Sequence, residues 1–549
     1  MKRIMNKILV GTLAVACVSC TGNYLEINSN PCQPGDLTPD GYGLSSAMSN
    51  IAGCVISPDV NTAQFTDCLL GGPMGGYYAD SKASGWDNTI SNYNPTDNWT
   101  NVFMKSDRII PVLYTNLTVV EKLCEESGDN IPLMIANIIK VAAMSRVTDT
   151  YGPIPYSQIG KDGKVETPYD SQEKVYDKFF EELTQAVNML NAKLVDNPEY
   201  QLPSSADYVF KGDIKKWIRF ANSLKMRLAM RIVYADKAKA EAMFVEAMNP
   251  ENGGYMEEND HNAQWNYFMS GSNPIYVASR YNSAEGSMTG GDSHAAADII
   301  CYMNGYQDNR REKYFVKSEF GWPEYVGIRR GIELSTLGKN ARKYSGINVA
   351  ETDPVIWMNA SEVYFLRAEA LAVQGFTNPY EKSTAKSLYE TGITKSFEQW
   401  NAEIGSYLEC DMQPEKYNDP EGANSYSGTL SNITVRWNDG VSLDEKQERI
   451  IVQKWIANWT LGNEAWADYR RTGYPKLIPA TSAGNKSGGR VDSERGARRM
   501  PYPSDEYVSN KNNVQEAVSK YLSGTDDMST CVWWDCCLLY TSDAADDRI

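Results

Sequence analysis

The sequence predicts a mostly α-helical protein in which paired helices are separated by long loop insertions. Three observations predict it. Apolar residues recur at steps of three and four through several separate blocks, the period of one helix face. The blocks come in twos. Between them lie long stretches rich in Tyr, Asn, Gly and Ser, which are turn-forming rather than periodic.

Residues 21–100 are mostly polar, with Gly71-Gly72, Gly75-Gly76 and repeated Asn, and are expected to be turn-rich. From Asp107 to Val147 the pattern is helical, with Ile135, Ile138, Ile139 and Ala142 on one face, and Gly152-Pro153 and Pro155 end it. A second pair follows: Ser171 to Leu190, with Val175, Phe179, Leu183, Ala186 and Leu190 inward and Ser171 as N-cap, then Ile214 to Tyr234. Two late pairs run Ala360 to Val373 with Glu381 to Phe397, and Ser442 to Thr460 with Glu464 to Arg471. Ala360, Ala368 and Ala372 are small enough for close helix packing. Such pairs resemble tetratricopeptide hairpins, but the spacing is too irregular for a plain solenoid, and residues 250–350 interrupt the series. Hairpins would form the scaffold while long insertions carry the site. Trp455, Trp459 and Trp466 read as a core stripe, and Asp468, Arg470 and Arg471 as a polar network at a helix end that Gly473-Tyr474-Pro475 stops. Asp308-Asn309-Arg310-Arg311 reads as a structural turn rather than a metal loop.

The two termini are unusual. Lys2, Arg3 and Lys7 precede an apolar run from Ile8 to Ala16, the pattern of a secretory signal. The run is about half the roughly 20 residues a transmembrane helix needs. Val18-Ser19-Cys20 resembles the bacterial lipobox, which assigns residues 1–19 to the signal and Cys20 to lipidation. A cut before Cys17, after Ala14-Val15-Ala16, is the alternative. Each buried CH₂ of an acyl chain contributes about 0.8 kcal/mol, so a triacylated terminus is a lasting anchor. At the other end, Cys537 to Asp546 read CLLYTSDAAD, the translation of a common sequencing-library adapter. Residues 536–549 are therefore set aside as a read-through tail, and Trp533-Trp534-Asp535 taken as the natural end.

Composition excludes several function classes. The chain carries a net charge of −17; without the +3 of residues 1–19 and the −2 of residues 536–549, −18 remains. An acidic surface repels phosphate backbones, which argues against nucleic acid as a partner. No stretch after the signal approaches 18 consecutive apolar residues. With His261 and His294 the only histidines, a Ser-His-Asp triad or a multi-histidine metal site has almost no material. Eleven cysteines show no zinc-type CxxC spacing once both termini are discounted. Export permits a disulfide among Cys32, Cys54 and Cys68, although burial as small apolar residues suits most of the cysteines better. A carboxylate-pair glycosidase stays open, because it needs only two acidic side chains.

A set of motifs carries a family resemblance over nearly the whole mature chain. In order they are NYLEINSNP at Asn23–Pro31, VTDTYGPIPYSQ at Val147–Gln158 and GDIKKWIRFANSLKMRLAMRI at Gly212–Ile232. WMNASEVYFLRAEALAVQG at Trp357–Gly375, ETGITKSFEQW at Glu390–Trp400 and IIVQKWIANWTLGNEAWADYRRTGYPKL at Ile450–Leu477 follow, and RRMPYPSDE and STCVWWD close the chain. Together, behind a lipobox, they resemble the SusD/RagB nutrient-binding outer-membrane lipoproteins of Bacteroidota. The resemblance implies one mostly α domain over residues 20–535, with a SusD-like fold of four tetratricopeptide-like hairpins plus long loop insertions. It implies a lid on a SusC-like TonB-dependent β-barrel transporter, lipid-anchored at the outer membrane and facing the exterior, which captures oligosaccharide. It implies no catalytic step and no cofactor or metal. Thr21-Gly22-Asn23 lack the acidic cluster typical of surface export, with Glu26 the first carboxylate, so exterior exposure rests on the resemblance alone.

Sugars are held by aromatic faces against C–H faces, with amides, carboxylates and Arg on the hydroxyls. Tyr77, Tyr78, Trp86, Asp87, Asn88, Tyr93, Asn94 and Trp99 offer that mixture on a Gly-rich background. Trp265, Tyr267, Tyr276, Arg280, Tyr281 and Asn282 form a second candidate stretch. Both lie outside the hairpins, where the resemblance places a ligand. Packing of loops onto the scaffold is the competing role for each aromatic. Peptide capture, as in RagB-like members, and a helical-repeat assembly scaffold are the competing functions.

Overall fold

The computed structural model describes residues 42–81, 90–95, 100–101, 103–104, 109–161, 166–266, 271–280, 291, 293–337 and 340–536. Helix α1 (Tyr42–Ala52) opens this part. A continuous helical run then passes from Val60–Ala63 through a π-helix at Gln64–Gly71 into Gly72–Met74. The Asp59 carboxylate caps it, accepting from Thr62 N at 2.7 Å. The reading of residues 21–100 as turn-rich is thus corrected over 42–74. The glycines there do not break the helix, because their missing side chains admit another helix.

The scaffold helices α2 (Ile109–Ser127), α3 (Ile131–Tyr151), α4 (Gln172–Asp196) and α5 (Ile214–Arg231) fall close to their predicted places, and a further helix not among those expected, α6 (Lys237–Met248), follows them. Each packs on the next. Caps fix the starts: Ser171 Oγ accepts from Lys174 N at 3.3 Å, Asp213 from Lys216 N at 3.2 Å and Asp236 from Lys239 N at 3.0 Å. Each such cap contributes about 1 kcal/mol. Helix α3 is long and apolar enough to cross a membrane, which the search for unbroken apolar runs did not flag. It is apolar all round because it is buried inside the fold between α2 and α4.

After the insertion that holds α7 (Pro274–Arg280) and α8 (Ala297–Gly305) come α9 (Ala360–Ala372), α10 (Ala385–Gln399), α11 (Leu443–Ala457) and α12 (Gly462–Thr472). Asn359 and Ser442 cap α9 and α11, and Gly473, in the left-handed region at φ 81°, stops α12 as predicted. Helix α9 packs on α10 and α11 and also touches α5, which joins the two halves. Helix α13 (Lys511–Tyr521) follows near the end.

Trp455, Trp459 and Trp466 are buried, as the stripe predicted. Beside them the late helices share a buried ionic network. Lys454 Nζ reaches Asp468 at 2.7 Å, Glu464 at 3.1 Å and Glu362 at 3.4 Å, and Arg227 pairs with Glu362 at 2.6 Å. Arg310 and Asp308 pair at 2.6 Å with both side chains buried, so that turn is structural. Cys54 and Cys68 are both buried and no disulfide joins them, which leaves out that pairing; Cys32 lies outside the described residues.

Candidate ligand-binding surface

Among the described residues the strands are short and form three antiparallel pairs: β1 (Tyr78–Asp80) with β5 (Ser293–Ala295), β2 (Ile154–Pro155) with β3 (Tyr169–Asp170), and β4 (Ala263–Trp265) with β6 (Val355–Met358). The first pair matters most for a site. Asp80 at the end of β1 faces Ser293 at the start of β5, and Ser81 Oγ donates to Gly291 O at 3.0 Å. Ser91 Oγ donates back to Asp80 at 2.5 Å. The first candidate stretch is therefore tied at Ser81 to Gly291, which lies beyond the end of the second stretch at Asn282. Trp86, Asp87, Asn88, Trp99, Tyr267, Tyr281 and Asn282 lie outside the described residues, as does the side chain of Arg280.

The remaining candidates divide. Tyr77 and Tyr78 are 0% exposed. Tyr77 stacks on Trp455 at 5.7 Å and donates to its carbonyl at 2.5 Å, and Tyr78 meets Trp459 edge-on at 5.4 Å. Both rings are committed to the core and neither presents a face to solvent, because tryptophans from α11 and the turn after it cover them. Trp265 is also buried, its ring against Gly53. Tyr276 is half-buried on α7, whose first turn is fixed by the Asn273 side chain accepting from Ile275 N at 2.8 Å. Tyr93 borders a cavity of about 190 Å³ together with Asn94, Ser487, Arg490 and Asp526. Burial raises the Tyr93 phenol, while Arg330 pulls the other way.

One residue absent from the predicted set stands out. Trp322 is 84% exposed at the tip of a loop whose neck is fixed. Ser318 N donates to Glu324 O at 2.7 Å, Ser318 Oγ to Pro323 O at 3.1 Å, and Lys317 pairs with Glu324 at 2.9 Å. Beneath the tip, Phe320 packs edge-on against Tyr344 at 5.0 Å. Tyr344 belongs to a small satellite core with Val326, Ile328, Ala296 and Ala79, the middle residue of β1. The Trp322 loop and the β1–β5 pair therefore share one support. The available signal was the Phe320-Gly321-Trp322-Pro323-Glu324-Tyr325 turn inside the long insertion, where no Gly-rich or Asn-rich stretch surrounds the aromatics.

Packed helix pairs thus carry a long insertion in which the Trp322 loop and the β1–β5 pair share one small core. Residues 26–535 match the SusD-like family, the Susd and RagB outer membrane lipoproteins, and the chain belongs to that family. A SusD homologue from Bacteroides uniformis is 59% identical, with a TM-score of 0.86 over 90% of this chain and 99% of its own. A second, from Bacteroides thetaiotaomicron, is 35% identical, with a TM-score of 0.80 over 90% and 98%. A chitin-binding SusD homologue from Flavobacterium johnsoniae is 34% identical, with a TM-score of 0.80 over 90% and 98%. No curated protein sequence matches the chain.

Proposed function

We propose that this protein captures oligosaccharide at the cell surface and passes it to a SusC-like TonB-dependent outer-membrane transporter, without catalysing a reaction. The observation that carries the reading is Trp322, a large indole held in water by a clamped loop. An indole face suits the C–H face of a pyranose, and the fixed neck of the loop would hold it ready for one. Tyr93 and the segments that carry Trp86 and Tyr281 would complete the surface, with Asn88, Tyr276 and Arg280 as polar partners. The chitin-binding relative supports a glycan over a peptide. Lipid on Cys20 would hold the protein on the outer membrane with its loops toward the exterior.

Calorimetric titration of the soluble chain beginning after Cys20 tests this against a panel of glycans, chitin oligosaccharides first, and of peptides. Saturable binding to a glycan is expected, without release of shorter products. Binding that survives Trp86→Ala with Tyr281→Ala would sink the site assignment, and peptide binding alone would overturn the glycan reading. Loss of acylation and of membrane association in Cys20→Ala is expected for the anchor.

A further inference from the structure

A cavity beneath α12, remote in role from the loop surface, is lined by Arg146, Arg227, Arg231 and Arg470 together with the acidic residues Asp67, Asp149 and Glu464. Three of the arginines have close carboxylates. Arg146 pairs with Asp67 at 2.6 Å, Arg227 with Glu362 at 2.6 Å and Arg231 with Glu464 at 2.5 Å. Arg470 differs. It is 1% exposed, yet its hydrogen bonds run to backbone carbonyls: Nη1 to Asp149 O at 2.6 Å and Arg498 O at 2.8 Å, and Nε to Trp466 O at 3.4 Å. Its cation lies over the rings of Trp466 at 3.7 Å and Trp534 at 4.7 Å.

The carboxylates nearby are engaged elsewhere. Asp535 pairs with Arg498 at 2.6 Å. Asp149 accepts from Tyr176 Oη at 2.6 Å and Trp534 Nε1 at 2.8 Å, and stands 3.6 Å from Arg231 Nη1. Arg470 Nη2 and Arg231 Nε and Nη1 therefore have no hydrogen-bond partner among the described residues, although both side chains line the cavity. Leaving donors of buried cations unmatched is costly. Burial pulls the Arg470 guanidinium down to about 9, with Arg498 and Arg231 repelling it against the pull of Asp149 and Asp535.

We propose that this cavity binds a monovalent anion of chloride's size, held between Arg470 Nη2 and the Arg231 guanidinium. The cavity volume is about 40 Å³, and roughly 10–15 Å³ suffices for one water-sized particle. That admits a halide with a water beside it, and the water would serve Asn463 Oδ1, a buried acceptor on the same wall without a partner among the described residues. Water alone would meet the hydrogen bonds but leave the Arg470 charge without a counterion in contact.

Crystals of the whole soluble chain soaked in sodium bromide test the site directly, with an anomalous peak expected between Arg231 and Arg470. In solution, replacing gluconate by chloride at constant sodium and ionic strength should raise the Tm saturably by about 3 °C, and Arg470→Met should abolish that dependence. If Arg470→Met fails to fold, the bromide experiment on the unaltered protein decides. Cavity density without anomalous signal at saturating bromide, or a Tm that follows ionic strength whatever the anion, overturns the proposal.

Discussion

Arg471 holds Glu369 in a two-pronged ion pair, Nη1 to Oε1 at 2.6 Å and Nη2 to Oε2 at 2.9 Å, with both side chains buried. The pair joins α12 to α9, and Gln447 of α11 donates to the same Glu369 Oε1 at 3.0 Å. Desolvation offsets much of the attraction between two buried charges, so such a pair adds little net stability. Removing one partner is different, because the other is left buried and unmatched.

Glu369→Ala is accordingly expected to cost about 3–5 kcal/mol, read as a lower urea midpoint. Replacing both partners with Met should recover much of the loss. A single variant as stable as the parent would show that the pair does not tie these helices.

Acid should weaken the fold through α12. Burial works against the charges of Glu464 and Asp468, but Arg231 and Lys454 at Glu464, and Lys454 and Arg471 at Asp468, outweigh it and hold both below the usual carboxylate range. A depressed folded pKa gives stability that is complete above the unfolded value, about 4, and lost as pH falls from there toward the native values. Asp149 and Glu448, raised by burial, contribute with the opposite sign, losing stability as pH rises through their folded values. Urea titrations at pH 7, 5, 4 and 3 should show a steep fall below 5 that Glu464→Gln makes shallower. An unchanged slope in that variant would remove Glu464 from the explanation.

Gly462 starts α12 directly against the π-helix, and a Cβ there would fall on the backbone of Gly71 and Gly72. Backbone cannot turn aside as a side chain can. Gly462→Ala should therefore destabilise by about 1–3 kcal/mol, despite the better helix propensity of Ala. A thermal melt unchanged or improved would mean the two segments can separate freely.

Trp322→Ala should leave the Tm unchanged, since the indole is mostly in water, and weaken glycan binding by about 1.5 kcal/mol, roughly tenfold. Intact affinity would exclude Trp322 as a platform. Phe320→Ala, by contrast, should lower both affinity and stability, because Phe320 supports the loop from the satellite core.

The scaffold was legible because its signals are local. Ser171, Asn359 and Ser442 cap where polar residues meet the start of a 3.6-residue period, and Gly473 ends α12 where a left-handed residue was expected. The N-terminal helical run was not legible. Gly71 and Gly75 read as turn residues, and their reason, close approach to α12, lies nearly four hundred residues away. The same distance hid the burial of Tyr77 and Tyr78, since aromatics on a Gly-rich background look alike whether they face a ligand or a distant tryptophan. For the candidate surface, the two stretches were visible as compositions. The pairing of β1 with β5, across more than two hundred residues, is not recorded by periodicity.

The embrace between the π-helix and α12 also bears on the order in which the chain can fold. Tyr77 finds its hydrogen-bond acceptor 378 residues later, at Trp455, and Asn463 donates to Thr66 O at 2.9 Å. Closing loops of that length is slow relative to forming local hairpins. The segment from Val60 to Tyr77 therefore lacks its partners in α11 and α12 until the last hairpin has been made. A chain whose early contacts wait for its late helices stays open for longer after synthesis.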